Sequence, residues 1–315
     1  MKEYLIGIDL GGSKIAGAIT DLKGNIIKES IIKTMAEYGD RSVVLRIINL
    51  IEDLIINSGK ALEDIKALGI GSPGPLDPEG GIIITTPNLP FKNFDIVTPI
   101  KEKFKVPVFL DNDANIAAIG EYILGAGKGT KNMVYVTIST GIGGGAIING
   151  KVYRGNTFNA LEIGHMTLLP DGPKCNCGNY GCFEALASGT AISRRAKEAV
   201  ESGRDTSLLN YDEITSYEVF KEAEKGDSVA RHVIDSSLEY IGIGISNIIT
   251  SFDPEVIVIG GGVMKAGQII FDRIKEVVDQ RCFKNMASAC KIVPSHLGEK
   301  AGVIGAIALA MMEIE

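Results

Sequence analysis

The sequence predicts an α/β protein made of two related lobes, and three observations carry that reading. At 315 residues, 45% of them hydrophobic and 23% charged, the chain is too long for one ordinary core and too apolar for disorder. A strand–glycine–strand unit near the N-terminus is repeated about 130 residues later, as duplicated lobes would have it. Between these units, short β-rich runs alternate with amphipathic helical stretches, and several of the runs end on glycine. The expected division is a small N-terminal lobe over residues 1–111, joined by a C-terminal helix at 299–315, and a large lobe over 112–298.

The elements follow in order. Residues 4–9 are a β-rich apolar run halted by Gly11 and Gly12, residues 15–20 are a second, and a turn at 21–25 leads to a third strand. Val44, Ile47, Ile48, Ile51, Leu54 and Ile55 recur at helical spacing, so 43–58 is read as an amphipathic helix closed by Gly59. Residues 67–71 form a buried strand running into Ser72-Pro73-Gly74-Pro75, and 106–110 a strand ending at Asp111-Asn112-Asp113, with a helix from Ala114. The plan then repeats: a strand at 133–139, a glycine turn at 140–145, and a strand at 146–148. Beyond Ala185 the chain is helical except for a strand at 255–259 that opens onto Gly260-Gly261-Gly262. The last helix, 301–312, is apolar on nearly every face and should be buried, against the first lobe.

The net charge of −7, with acids and bases interspersed, offers no basic tract to follow a phosphate backbone, so no nucleic-acid partner is expected. No apolar stretch approaches the roughly 18 uninterrupted residues of a membrane span. The start MKEYLIGIDLGG lacks the apolar core and cleavage site of a secretory signal. Of five cysteines, three lie within residues 175–182, which suits thiolate–metal chemistry in a reducing cytoplasm better than a disulfide framework.

Three constellations carry chemistry. In the first, Gly11 and Gly12 let backbone N–H groups approach a phosphate, Ser13 supplies a hydroxyl, Lys14 a charge, and Asp9 can hold Mg2+ through water. Taken alone, this hexapeptide reads equally as an ordinary hairpin turn. Thr140, Gly141, Gly143 and Gly144, together with Gly261 and Gly262, follow other buried strands, where open α/β folds gather ligands. The second glycine run leads into a strand, which is not the dinucleotide pattern, and no Walker P-loop occurs.

The second constellation is 111–115. Phosphoryl transfer to an alcohol needs a carboxylate to accept the hydroxyl proton and an amide to fix neighbouring hydroxyls; Asp113 and Asn112 suit these roles. Helix capping by Asp113 is the plainer alternative. The third is His165 with Cys175, Cys177 and Cys182, a closed N/S3 set that zinc prefers and that leaves no place for a catalytic water. A structural Zn2+ there would fix the loop so that Glu162 and Glu184 face substrate. Cys282 and Cys290 are read as packed or surface thiols, and His232 and His296 stay unassigned.

With these residues in place, the chain resembles the ROK family (repressors, uncharacterised reading frames and kinases) along nearly all its length. The family's phosphate motif appears at 9–14, its SPGP-type segment at 72–75, its sugar and base motif at 112–115, its ExGH at 162–165 and its CxCGxxGCxE at 175–184. The resemblance implies a two-lobed, actin-like hexokinase (ribonuclease H-like) ATPase fold with a zinc-binding loop. It also implies a homodimer or homotetramer, and ATP-dependent phosphorylation of a hexose 6-hydroxyl in a cleft that closes between the lobes. Carried over by position, Asp113 is the base, Asn112, Glu162, His165 and Glu184 bind sugar hydroxyls, and His165 also holds zinc through its other nitrogen. Gly74 and Asn88, the latter in the Pro87-Asn88-Leu89 turn, match positions at the pocket.

After Pro90, many relatives carry Gly-Trp where this chain has Phe91-Lys92-Asn93-Phe94, and the chain has no tryptophan. Residues 187–192 look like the glucokinase branch, so glucose is the expected sugar. Fructokinases, N-acetylmannosamine kinases and allose kinases share most of the framework. The repressor branch carries a DNA-binding segment ahead of the kinase-like body, which is not expected here with Asp9 so near the start.

Overall fold

The computed structural model describes residues 2–86 and 88–314. Pro87, the first residue of the turn expected at 87–89, lies outside the described residues. The chain opens with β1 (Tyr4–Leu10), β2 (Lys14–Asp21) and β3 (Ile26–Lys33), then α1 (Asp40–Ser58), which ends at Gly59 in the left-handed region as a helix C-terminus favours. Next come β4 (Ile65–Ser72), three short strands β5 (Leu76–Asp77), β6 (Ile82–Thr85) and β7 (Lys92–Asp95), α2 (Val97–Phe104), β8 (Val108–Asn112) and α3 (Asp113–Leu124).

The second half carries β9 (Met133–Ile138), β10 (Ile142–Ile148), β11 (Lys151–Val152), then α4 (Phe183–Ala187), α5 (Gly189–Glu201), α6 (Ser216–Glu224) and α7 (Ser228–Phe252). It closes with β12 (Val256–Gly260), α8 (Gln268–Arg281), α9 (Lys284–Ala289), β13 (Lys291–Pro294) and α10 (Ala301–Glu313).

The repeat seen in the sequence is a repeat of topology. One five-stranded sheet is ordered β3-β2-β1-β4-β8 and the other β11-β10-β9-β12-β13, so each begins with three sequential strands and continues outward through two more. In the first, β1 runs antiparallel to β2 and parallel to β4, and β4 parallel to β8; in the second, β12 is parallel to both β9 and β13. Parallel strands need covered faces, which explains why β1, β4 and β12 are almost continuously apolar and buried. The short strands form a third sheet, β5-β6-β7.

The chain divides into two compact units, Met1–Thr130 with Gly145–Ala160 and His296–Glu315, and Lys131–Gly144 with Leu161–Ser295. The first therefore takes in α3 and β11, which a boundary at 111 assigns to the large lobe. The cause is close packing of α3 on α10: a Cβ on Gly305 would lie 2.2 Å from the Ile116 carbonyl oxygen. Gly7 of β1 and Gly69 of β4 are register partners, and a Cβ on Gly69 would fall 1.9 Å from the Ala306 carbonyl oxygen. That pair of bare positions lets the α10 backbone lie directly on the sheet. Val303, Ile307, Ala310 and Met311 of α10 share a buried cluster with Leu5, Ala18 and Ala67.

Two local expectations are corrected. The turn placed at 140–145 is shorter, because β10 starts at Ile142 and takes Gly143, Gly144 and Gly145 as strand residues. These glycines answer to packing: a Cβ on Gly144 would strike the Ile163 side chain, and one on Gly145 the Ala114 carbonyl and Ala118. The helix expected from Ala114 begins one residue earlier, at Asp113, and its cap is Asn112, whose side chain accepts from the Ala114 N–H, and not Asp113 as the plainer alternative had it.

Candidate functional site

In the first unit the turn after β1 is tied at both sides. The Gly11 N–H donates to the Lys14 carbonyl at 3.0 Å, and buried Thr34 donates its hydroxyl to the Gly11 carbonyl (2.7 Å) and its N–H to the Ser13 carbonyl (3.0 Å). Gly12 lies against Asn88, whose Cβ would be 2.9 Å from an added one, so the glycine turn and the 88–89 segment adjoin. Ser13 and Lys14 are exposed at the turn. Burial pushes the Asp9 carboxyl above its ordinary pKa, and the charge of Lys14 works the other way. A Cβ on Gly302 would lie 2.3 Å from Asp9 Oδ2, so this carboxyl meets the first turn of α10, where a helix dipole favours negative charge.

The strand-to-helix junction carries the second constellation. Asp113 is exposed as the first residue of α3 and its Oδ1 accepts from the Ala114 N–H at 2.8 Å. Asn112 caps the helix with Oδ1, at 2.9 Å from the Ala114 nitrogen, and its Nδ2 would be 3.2 Å from a Cβ on Gly74. Gly74 and Asn112, two residues expected at one pocket, are thus adjacent. Asp111 turns inward: buried, it accepts from the Asn112 N–H (2.8 Å) and Asn115 Nδ2 (2.9 Å) through Oδ1, and from Arg154 Nε (2.7 Å) through Oδ2. Burial disfavours the Arg154 charge, but Asp111 and Glu313 outweigh it and hold the guanidinium above its ordinary pKa. Arg154 gave no signal in the sequence, being 43 residues from its partner with no motif around it.

In the second unit, one ligand atom from each of His165, Cys175, Cys177 and Cys182 lies within 4.8 Å of every other. His165 Nδ1 is 3.7 Å from Cys175 Sγ, and Cys177 Sγ is 3.6 Å from Cys182 Sγ. Ligands at about 2.0–2.3 Å from a tetrahedral zinc are separated by about this edge length, so the donor set fits the ion. Its electrostatics agree. Burial and the neighbouring sulfurs push the Cys182 thiol up to about 12, whereas the Asn179 backbone N–H lowers that of Cys177. Several thiolates cannot crowd here without a cation.

The knuckle itself is shaped by backbone. Cys175 N–H donates to the Asn179 carbonyl (2.8 Å), and Gly181 has φ 64° with its Cα so near Leu169 that a Cβ would fall 1.5 Å from that carbonyl oxygen. His165 and Glu162 share a short 3-10 turn, and Gly164 packs on the Ile142 carbonyl. Glu184, two residues after Cys182, accepts from the Ile142 N–H at 2.9 Å through Oε2 and sits against Gly141. The His/Cys cluster, Glu184 and the Thr140-Gly141 turn are thereby one assembly, and Thr140, Gly141, Cys175 and Glu184 line a common cavity of about 240 Å3.

A second cavity, about 420 Å3, is lined by Thr140 and Gly262 together with Thr190, Ser193 and Thr215, which sequence reasoning missed. Thr215 did leave a trace: it forms a capping box with Glu218 at the start of α6. Gly261, at φ 99°, lies on the Ile138 carbonyl and turns the chain out of β12 beside this cavity. Cys282 and Cys290 are free thiols outside any metal cluster among the described residues. No helix among the described residues is long and apolar enough to cross a membrane.

The ROK family profile matches residues 5–313. A glucokinase of Halalkalibacterium halodurans is 37% identical over 96% of this chain and 93% of its own length. A xylose repressor of Caldicellulosiruptor bescii is 33% identical over 98% of this chain and 78% of the repressor. Among solved structures, a ROK hexokinase from Thermus thermophilus aligns with a TM-score of 0.85 at 35% identity, covering 99% of each chain. A ROK family glucokinase from Streptomyces griseus, in complex with glucose and AMPPNP, aligns with a TM-score of 0.79 at 31% identity over 98% of this chain and 99% of that one. The fold is that of the ROK hexokinases.

Proposed function

Because this chain belongs to the ROK family, we propose that it is an ATP-dependent hexose kinase that transfers the γ-phosphoryl group to a sugar 6-hydroxyl, with glucose the preferred acceptor. The observation that carries the reading is Asp113, an exposed carboxylate at the start of α3 with the Asn112 side chain next to it and Gly74 leaving room beside that amide. Its similarity to a glucokinase bound to glucose and AMPPNP supports both substrates.

Asp113 takes the hydroxyl proton as the sugar oxygen attacks the γ-phosphorus, and the bond from that phosphorus to the β–γ bridging oxygen breaks to release ADP. Asn112, Glu162, His165 and Glu184 hold sugar hydroxyls, with Gly74 and Asn88 at the pocket edge. The turns at Asp9, Gly11, Gly12, Ser13 and Lys14, at Thr140 and Gly141, and at Gly261 and Gly262 receive the nucleotide phosphates; Gly143 and Gly144, as strand residues, support the second turn. Asp9 would hold Mg2+ through water, and the ion would supply charge neutralisation on the nucleotide phosphates. Zn2+ would be held by His165, Cys175, Cys177 and Cys182. With His165 Nδ1 toward Cys175, its Nε2 is left for a hydroxyl. We place the enzyme in the reducing cytoplasm as a homodimer or homotetramer.

The test is a coupled ADP-release assay with glucose, fructose, mannose and N-acetylmannosamine at matched concentration. Glucose is expected to give the highest kcat/KM, and a rate on glucose no better than on the rest overturns the substrate assignment. The likeness to xylose repressors favours a second reading, a sugar-binding regulator. It would bind sugar without releasing ADP, so the same assay separates the two.

A further inference from the structure

Asp111 stands in the same constellation as Asn112 and Asp113 yet faces the interior, where neither substrate binding nor proton transfer uses it. All three of its donors are intramolecular. Oδ1 receives the backbone N–H of Asn112 and the side chain of Asn115, one on each side of Asp113 in sequence, and Oδ2 receives Arg154 Nε. A carboxylate that is only 1% exposed must be neutralised, and Arg154 is the cation that does so. The guanidinium in turn is held by Glu313 of α10, Nη2 to Oε1 at 2.9 Å.

We propose that Arg154 is a positioning residue for phosphoryl transfer. By fixing the Asp111 carboxylate, it fixes the two groups that flank Asp113 and so the direction in which that base points. This rests on the reading of Asp113 as the base. A Lys could supply the charge but not the fork, which engages Asp111 through Nε and Glu313 through Nη2. Arg154 also lines a cavity of about 450 Å3 with Lys101 and Glu79, so the space vacated by truncation opens onto room for a small cation.

The experiment compares the full chain with its Arg154→Ala, Glu313→Gln and Asp113→Ala variants, measuring kcat, both KM values and the stoichiometry of sugar binding, with and without millimolar guanidinium. Misplacing a reacting group by about 1 Å can cost about 100-fold, so Arg154→Ala is expected to lose about 10- to 100-fold in kcat. Its KM for ATP should stay within about twofold and its sugar stoichiometry at the wild-type value, since uniform binding is untouched. Guanidinium should restore part of that kcat and do nothing for Asp113→Ala. Glu313→Gln, which breaks a partly exposed pair, should remain within about threefold of wild type.

If Arg154→Ala does not fold, Arg154→Lys keeps the charge and is expected to lose about tenfold in kcat. A kcat equal to wild type in the variant that folds, or a loss that merely tracks lost sugar-binding stoichiometry and ignores guanidinium, overturns the proposal alone. A wild-type chain that phosphorylates no hexose, or an Asp113→Ala variant with full turnover, overturns the kinase reading and this inference with it.

Discussion

Replacing Asp113 with alanine is expected to lower kcat by about 100-fold or more, because the attacking hydroxyl loses the group that accepts its proton. The hexose dissociation constant should stay within a few-fold of wild type, as sugar contacts are assigned to Asn112, Glu162, His165 and Glu184. The variant should fold. Asp113 is exposed, and the cap of α3 is made by Asn112, so the helix keeps its cap while losing the Asp113 Oδ1 contact to the Ala114 N–H and a favourable first-turn charge worth about 0.3–1 kcal/mol. Steady-state kinetics beside calorimetric sugar binding reads both quantities. Near-native turnover would remove Asp113 from the role of base.

Removing the proposed Zn2+ should be as damaging for a different reason. Cys182 is buried at the foot of α4, next to Phe183, which is fully buried, and Glu184 follows at once. His165 ends the 3-10 turn Ile163–His165 that Glu162 immediately precedes. Two of the proposed sugar carboxylates are thus set by the geometry of the cluster. Elemental analysis of the purified chain should find zinc at one per chain. Stripping it with a strong chelator, or the Cys182→Ser substitution, should reduce kcat/KM for sugar by about 100-fold or more, since the sugar contacts lose their placement. Full activity in metal-free protein would show that the knuckle does not organise the sugar site.

Legibility in the sequence tracked how local the cause was. The strands β1, β4, β9 and β12 were readable because each is a buried apolar run cut off at or near a glycine or a turn. The cluster of His165, Cys175, Cys177 and Cys182 was readable because four donors fall within eighteen residues and need no tertiary knowledge. The strand status of Gly143 to Gly145 was not, since glycine has no strand preference of its own and is demanded there by Ile163 and α3. The third sheet escaped because β5 is two residues long and β7, Lys92-Asn93-Phe94-Asp95, lies largely exposed without alternation. The start of α3 was misplaced by one residue because Asn112 and Asp113 are both good capping residues, and only backbone geometry decides between them. The Asp111–Arg154 pair joins segments that only the folded sheet brings together.

Phosphorus NMR of the wild-type chain with glucose, ATP and Mg2+ bears most directly on the account. Resonances of glucose 6-phosphate and ADP should grow at equal rates, and neither should appear when Asp113→Ala is substituted over the same interval. Inorganic phosphate in place of the sugar phosphate, or an unchanged ATP spectrum, would contradict it.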